Sequence, residues 1–453
     1  MVRVPYRRLL AIVVFGTLVS APGAAPGQTV PAAGEGDPFL QALVVEALAH
    51  NPDLHAAQSG IAAAQTATAR ARVLPDPMVS MTYTNDGWAP SLGSMPMTTL
   101  GFMVSQQLPY SGKRQLRADL AASQARQFEP SLARARLAIE AAVTRAYYGL
   151  LLARELQSLT IEQRTLWQQI EIVVRERYAV GQGAQPDVLR VQTEVTRIEQ
   201  RAIEQAAEAE LRLGEINRLL ARPFDTPVET TTRLQLTPLV GSPQDAVDQA
   251  RAINPELAGA RLAIGTSVAA AALARRELKP DFTVQGGYMN RGGLDAMWLA
   301  GVGVSWPFNK KARESAIAEA EIRAKGGQHV IESMELQLAY RTRERFTRAK
   351  TAEKLVALYD GGIVPQDEMT VEAAIANLQT GRVPFVSVLE AMTALYGDRW
   401  TRTGLMADHA RLRASLREAS LDATPDMAAG APAAVAGIAT GQAGSMSGGM
   451  SGK

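Results

Sequence analysis

The chain contains one plan twice, and this constrains it more than any other feature. Ala47-Leu48-Ala49-His50-Asn51-Pro52-Asp53-Leu54 recurs 203 residues later as Ala250-Arg251-Ala252-Ile253-Asn254-Pro255-Glu256-Leu257. In both copies an Ala-rich helical stretch follows and ends in a proline-aspartate step, Leu74-Pro75-Asp76 or Lys279-Pro280-Asp281. Gly181 to Val195 then matches Gly381 to Leu395 at an offset of 200. Solenoid and propeller units repeat every ~20–50 residues, so a period this long marks a duplicated domain. At 453 residues, length alone would suggest about three domains. The repeat reduces them to two copies of one half.

Past each Pro-Asp step the apolar period switches from helical to two. Val79, Met81 and Tyr83 alternate with Ser80, Thr82 and Thr84, and Leu100, Phe102 and Val104 alternate with Gly101, Met103 and Ser105. The second copy repeats this with Phe282, Val284 and Tyr288, then Trp298, Ala300, Val302, Val304 and Trp306. The expected strands span about 77–86, 98–107, 281–290 and 296–306. Segments of about ten residues with one apolar and one small or polar face fit membrane β-strands. Trp298 and Trp306 lie roughly 26 Å apart along a strand, close to the height of a lipid-facing band with aromatic rims, which Tyr83 and Tyr288 would join. A soluble sheet packing the same face on a core is the other reading of a single hairpin. Four strands cannot close around a lumen, and an open edge cannot sit in lipid. Membrane strands here therefore require several chains to pool them, about twelve in a trimer.

The remainder reads as helix. Leu152, Leu159, Leu166, Val173 and Val180 fall at intervals of seven, as do Val188, Val195, Ala202, Ala209 and Ile216. That spacing means coiled-coil packing. One long helix is expected from Lys113 to Val180, tolerating Pro130. Gly181-Gln182-Gly183 before Pro186, and Gly381-Arg382-Val383-Pro384, break the helices into hairpins.

Composition removes whole function classes. Lys and Arg exceed Asp and Glu by only 47 to 45, so no basic excess supports nucleic-acid binding. With no cysteine there is no disulfide, thiolate site, catalytic thiol or N-terminal lipid on cysteine. Four scattered histidines, and no G-x-x-x-x-G-K-[ST], G-x-S-x-G or HExxH motif, argue against a metalloenzyme, a nucleotide hydrolase or an esterase. No apolar run after the N-terminus reaches about 18 residues, so helical spans are not expected. Arg3, Arg7 and Arg8 before Leu9 to Val19, then small residues, read as an export signal.

Taken in order over residues 40–420, these features resemble the TolC-like outer-membrane factors. The features are the Asn-Pro-Asp/Glu-Leu helix starts, the two strand pairs, and the Val-Gly-Gln-Gly and Thr-Gly-Arg turns each followed by a Val-Leu helix. The resemblance implies a mostly α, non-enzymatic fold with a small β part. It implies a homotrimer with a twelve-stranded outer-membrane barrel continued by a long periplasmic α-helical barrel. The implied partners are a periplasmic adaptor, an inner-membrane pump of the RND type and outer-membrane lipid, with no cofactor and no nucleic acid. The implied setting is the outer membrane of a Gram-negative bacterium.

The expected organisation is an export signal at 1–27, a first repeat at 28–220 and a linker at 221–245. A second repeat follows at 246–420, then an Ala/Gly/Ser-rich tail at 421–453 that is expected to be disordered. Adaptor-contact tips fall at 181–184 and 381–384, at Gly181, Gln182, Gly183, Gly381, Arg382 and Val383. The family's acidic Val-Asp-Val-Leu-Asp-Ala constriction reads here Val386-Ser387-Val388-Leu389-Glu390-Ala391. Only Glu390 keeps its acid, and Ser387 stands at the other position. Asp187 and Arg190 occupy the same register in the first copy. The Pro75-Asp76-Pro77-Met78 stretch and Ser105 to Lys113 look like the heavy-metal efflux branch. Met78, Met81, Met95, Met97 and Met103 crowd that region, with Met95 and Met97 the candidate ligands, since thioether sulfur suits Cu(I) or Ag(I). Methionine also fills irregular apolar sites with no ligand role. A drug or type I secretion duct of the same fold is the alternative, followed by a periplasmic adaptor.

Overall fold

The computed structural model describes residues 37–91 and 97–423. The expected export signal, Met95 and the tail from residue 424 lie outside the described residues. The first copy runs α1 (Pro38–His50), α2 (Pro52–Ala71), β1 (Met78–Thr84), β2 (Thr99–Leu108), α3 (Lys113–Arg126), α4 (Phe128–Ala179) and α5 (Gln185–Leu219). The second runs α6 (Pro243–Ile253), α7 (Pro255–Arg276), β3 (Asp281–Arg291), β4 (Leu294–Ser305), α8 (Lys310–Leu358), a π-turn (Tyr359–Ile363), α9 (Val364–Gln379) and α10 (Phe385–Glu418).

The repeated Asn-Pro pairs do the same work in each copy. Asn51 accepts from the Asp53 N–H at 2.9 Å and Asn254 from the Leu257 N–H at 2.7 Å, with proline as the first helical residue of α2 and α7. Such an asparagine cap is worth about 1 kcal/mol, and proline there sacrifices no helical donor. Both asparagines are buried, and their Nδ2 groups reach the end of the long hairpin: Asn51 donates to Leu219 O at 2.9 Å and Asn254 to Ala419 O at 2.6 Å. One side chain thus starts a short helix and fastens it to a long one.

The strands form one antiparallel sheet in the order β1-β2-β3-β4, so β2 and β3 join the two copies. Its register sets Met81, Phe102, Tyr288 and Trp298 in one row and Thr82, Gly101, Met289 and Met297 in the next. Because side chains alternate, the first row belongs to a continuous apolar face and the second to the opposite face.

The expected single helix from Lys113 is two. Pro130 is the third residue of α4, where no N–H is needed. The chain breaks just before it, where Gln127 turns its Nε2 onto the Thr266 hydroxyl of α7 at 2.6 Å. At 1.5 Å per residue α4 still reaches about 78 Å.

One core lies where α1, α4 and α5 meet the 228–236 segment, around Tyr147, Leu150, Ile216 and Leu220. A second fills the long hairpins, around Trp167, Ile198, Phe385 and Met392. Against the sequence expectation, α7 is long and apolar enough to cross a membrane by length and composition, with a mean hydropathy of 1.5. It nevertheless carries Arg261 and Arg275, which pair with Glu335 and Glu321 of α8, so α7 packs beside α8 among the helices.

Candidate functional site

Two regions combine unusual exposure with ordered geometry: the sheet at one end and the hairpin tips at the other. On the sheet, Val79, Met81, Phe102, Val104, Trp298, Val302 and Val304 are all exposed. The opposite residues of β3 (Asp281, Thr283, Gln285, Gly287 and Met289) are half-buried while their even-numbered neighbours are exposed. The sheet therefore curls toward its small and polar face and turns its apolar face outward. Tyr83, Tyr288 and Trp298 lie toward the strand turns, and the Tyr288 and Trp298 rings meet edge to face at 5.1 Å. Trp306 follows the last residue of β4 at the helix end and is 56 % exposed. Aromatic side chains thus stand at both ends of an outward apolar band.

The tips are two copies of one helix stop. Gly181 and Gly381 hold φ of 75° and 73°. The Gln182 N–H bonds Arg177 O at 2.8 Å and the Arg382 N–H bonds Asn377 O at 2.9 Å, satisfying carbonyls that each helix end would otherwise leave bare. Glycine is needed because a side chain resists that left-handed backbone. The two tips are joined by Arg177, whose guanidinium donates to Leu378 O in the second copy at 2.6 Å and to Gln182 O in its own at 3.2 Å. Asp187 lines the same cleft, together with Gly183, Val383 and Phe385. Sequence reading did not single out Arg177. Its acceptors are backbone carbonyls, which leave no residue-type signal.

Of the constriction candidates, Glu390 is exposed and Ser387 half-buried on α10, while Arg190 is exposed and Asp187 half-buried on α5. Asp187 occupies the first turn of α5, where a carboxylate also complements the helix dipole. Gln182 and Arg382 are exposed at the tips. The methionines do not form one group. Met81 lies on the apolar face, Met103 on the opposite face between Ser80 and Gly287, and Met97 is exposed in the β1–β2 connection. Among the described residues no group of three or more His, Asp or Glu could hold a metal ion.

The fold is shared with solved outer-membrane channels. The chain aligns with the channel OprN at a TM-score of 0.71 and 18% identity, over 86% of this chain and 91% of that one. VceC of Vibrio cholerae gives 0.71 and 18%, over 86% and 98%. CusC gives 0.68 and 17%, over 87% and 98%. No curated protein matches the chain by sequence. The sequence model for outer membrane efflux proteins matches residues 43–221 and 246–420, one segment for each copy of the plan. The chain therefore belongs to the outer membrane efflux protein family, whose members are transport ducts.

Proposed function

We propose that this protein is the passive exit duct of a tripartite efflux system. Three chains pool their sheets into a twelve-stranded barrel in outer-membrane lipid, and the long hairpins continue it as a periplasmic tube. The tips at 181–184 and 381–384 receive a periplasmic adaptor coupled to an RND-type inner-membrane pump, which supplies the energy. The observation that carries this reading is the four-stranded sheet, apolar on its outward face and open along β1 and β4. Such edges are not tolerated in lipid, so the sheet needs copies of itself. The test is the native mass of protein extracted in detergent from isolated outer membranes. A trimer is expected, and a monomer released without detergent overturns the proposal.

Soft metal ions such as Cu(I) or Ag(I) are the favoured cargo, ahead of drugs or secreted proteins. Thr82, Gly101, Met289 and Met297, with Met103 one step along, share the face opposite the apolar one. In the proposed barrel that face is the inner one, and thioethers on it would suit soft ions, which supports this cargo. A deletion strain should become sensitive to copper and silver. Sensitivity to drugs alone would reassign the cargo. In a trimer Glu390 forms a ring of three carboxylates at the periplasmic constriction. Glu390→Ala should weaken block of single-channel current by divalent cations, and unchanged block removes Glu390 from the gate.

A further inference from the structure

Inside one chain the two copies meet along β2 and β3, and a polar lock closes the helix end of that seam. Lys113, the first residue of α3, has a side chain only 4% exposed. Its Nζ donates to Asp281 Oδ1 and to Lys279 O, each at 2.8 Å. Asp281 Oδ1 also accepts the Tyr110 N–H at 2.8 Å. The parts of the lock are a lysine four residues after Pro109 and an aspartate directly after Pro280.

Each copy carries both parts, and one set is left over. Asp76 directly follows Pro75, Lys311 lies four residues after Pro307, and Phe308 stands where Tyr110 does. All three are exposed, Phe308 at 88%, and among the described residues neither Asp76 nor Lys311 has a hydrogen-bond or ion-pair partner. They flank β1 and β4, the two opposite edges of the sheet, and cannot meet within one molecule.

We infer that they meet between molecules. β4 of one copy pairs antiparallel with β1 of the next in the register of β2 with β3, and Asp76 of one chain holds Lys311 of the other. The inference rests on the trimeric reading above and adds the residues of its seam. Carrying Leu108 opposite Phe282 over to the outer edges puts Trp306 opposite Pro77. Val304 then faces Val79, Val302 faces Met81 and Ala300 faces Tyr83, which continues the apolar face across the junction. On the inner face Gly303 lies opposite Ser80. The parity is a check from outside the alignment, since a slip of one residue would turn every apolar side chain to the wrong face.

The chain has no cysteine, so pairs can be introduced without removing any. At Gly303 an added Cβ meets nothing nearer than Thr283 Cβ at 3.7 Å. Gly303→Cys with Ser80→Cys forms the expected pair, and Ser305→Cys with Ser80→Cys is displaced by two residues. Oxidation in isolated outer membranes should convert the first full-length variant to covalent dimers and trimers at least about tenfold faster than the second, because directly opposed Cβ atoms lie about 4.5–5.5 Å apart and diagonal ones about 7–8 Å. Equal or faster linking by the displaced pair overturns the register. Detergent-extracted mass separates the two levels of failure. A trimer that does not cross-link as expected sinks the seam alone, whereas a monomer sinks the duct as well. For the lock, Asp76→Lys should lower the temperature at which the trimer dissociates, and adding Lys311→Asp should restore it. Failure of that exchange to rescue overturns the Asp76–Lys311 pair.

Discussion

The two long hairpins share a backbone plan and differ in grip. At the offset of 200 that superposes their tips, Trp167 of α4 corresponds to Asp367 of α9, and Ile198 of α5 to Asp398 of α10. In the first hairpin both residues are 1% exposed, and Trp167 meets Phe385 edge to face at 6.3 Å. In the second, two carboxyl groups face each other, and burial, the hydrogen bond to Asp398 and its charge push Asp367 above the usual carboxylate range. The helix leading to the first tip runs unbroken for 52 residues, whereas its counterpart is interrupted by a π-turn containing Gly361 and Gly362. Such π insertions mark functional sites more often than ordinary helix does. Duplication therefore supplied two equal arms, and substitution gave the second a carboxyl pair and a π-turn where the first keeps apolar residues and an unbroken helix. We expect the first to act as a post and the second to be the arm that swings.

The largest effect that breaks this contrast is loss of the post's apolar grip. Trp167→Ala should cost about 3–5 kcal/mol, read as a lowered midpoint of helix melting in detergent. A cost below about 1 kcal/mol would mean the post is held elsewhere.

A smaller contrast lies between the two tip glycines. Either Gly→Ala change meets the left-handed backbone, at about 1 kcal/mol. At Gly181 an added Cβ meets nothing within 4 Å, but at Gly381 it comes to 3.2 Å from Arg177 Nη2. Gly381→Ala should therefore also loosen the guanidinium that joins the tips, for a total of about 2 kcal/mol once a charged hydrogen bond weakens. Arg177→Ala in the same background should erase the difference between the two glycine variants. If the difference persists, Arg177 is not its cause.

Acidity should affect the swinging arm and spare the post. An acid whose folded pKa is raised binds more protons in the folded state. Its contribution is full below the unfolded value near 3.8 and is lost as pH rises through the raised folded value. Once Asp367 loses its proton, its charge beside the Asp398 carboxyl group opposes closure of α9 on α10, with Tyr359 packed close enough to feel the Asp398 charge. Arg399 ties Glu368 to Glu162 beside them, and Arg402 bonds Asp360. Asp367→Asn should raise the melting midpoint at pH 7.5, with the gain shrinking toward pH 4. A gain independent of pH would show that bulk or polarity matters, and the shared proton does not.

What the sequence disclosed follows how locally each feature is encoded. Asn51 and Asn254 were legible because a cap is built from a residue and its own next turn, and the strands because alternation needs only neighbours. The joining of β2 to β3 was not legible, since nothing local distinguishes an inner edge from an outer one. Arg177 escaped because Leu378 contributes only a carbonyl from 201 residues away. The helix break at Gln127 was hidden behind Pro130, which its position in α4 tolerates. Asp367 and Asp398 become conspicuous only when the copies are laid over one another position by position, since each alone looks like a solvated helix carboxylate.

The smallest expected effect is the sharpest test of which arm moves. Gly361 has nothing within 4 Å of where a Cβ would stand, and the same holds for Gly214 in α5. Alanine at either site should gain about 0.5–1 kcal/mol of helix stability without a clash. If opening unwinds the π-turn, Gly361→Ala charges that gain against the open state. Single-channel open probability should then fall by a factor of about 2–5, since 1.4 kcal/mol corresponds to tenfold. Gly214→Ala gives the same local gain to the post and should leave gating unchanged. Equal effects from both would make the arms move together. An effect from Gly214 alone would reverse their roles, because the arm whose stiffening blocks opening is the one that has to bend.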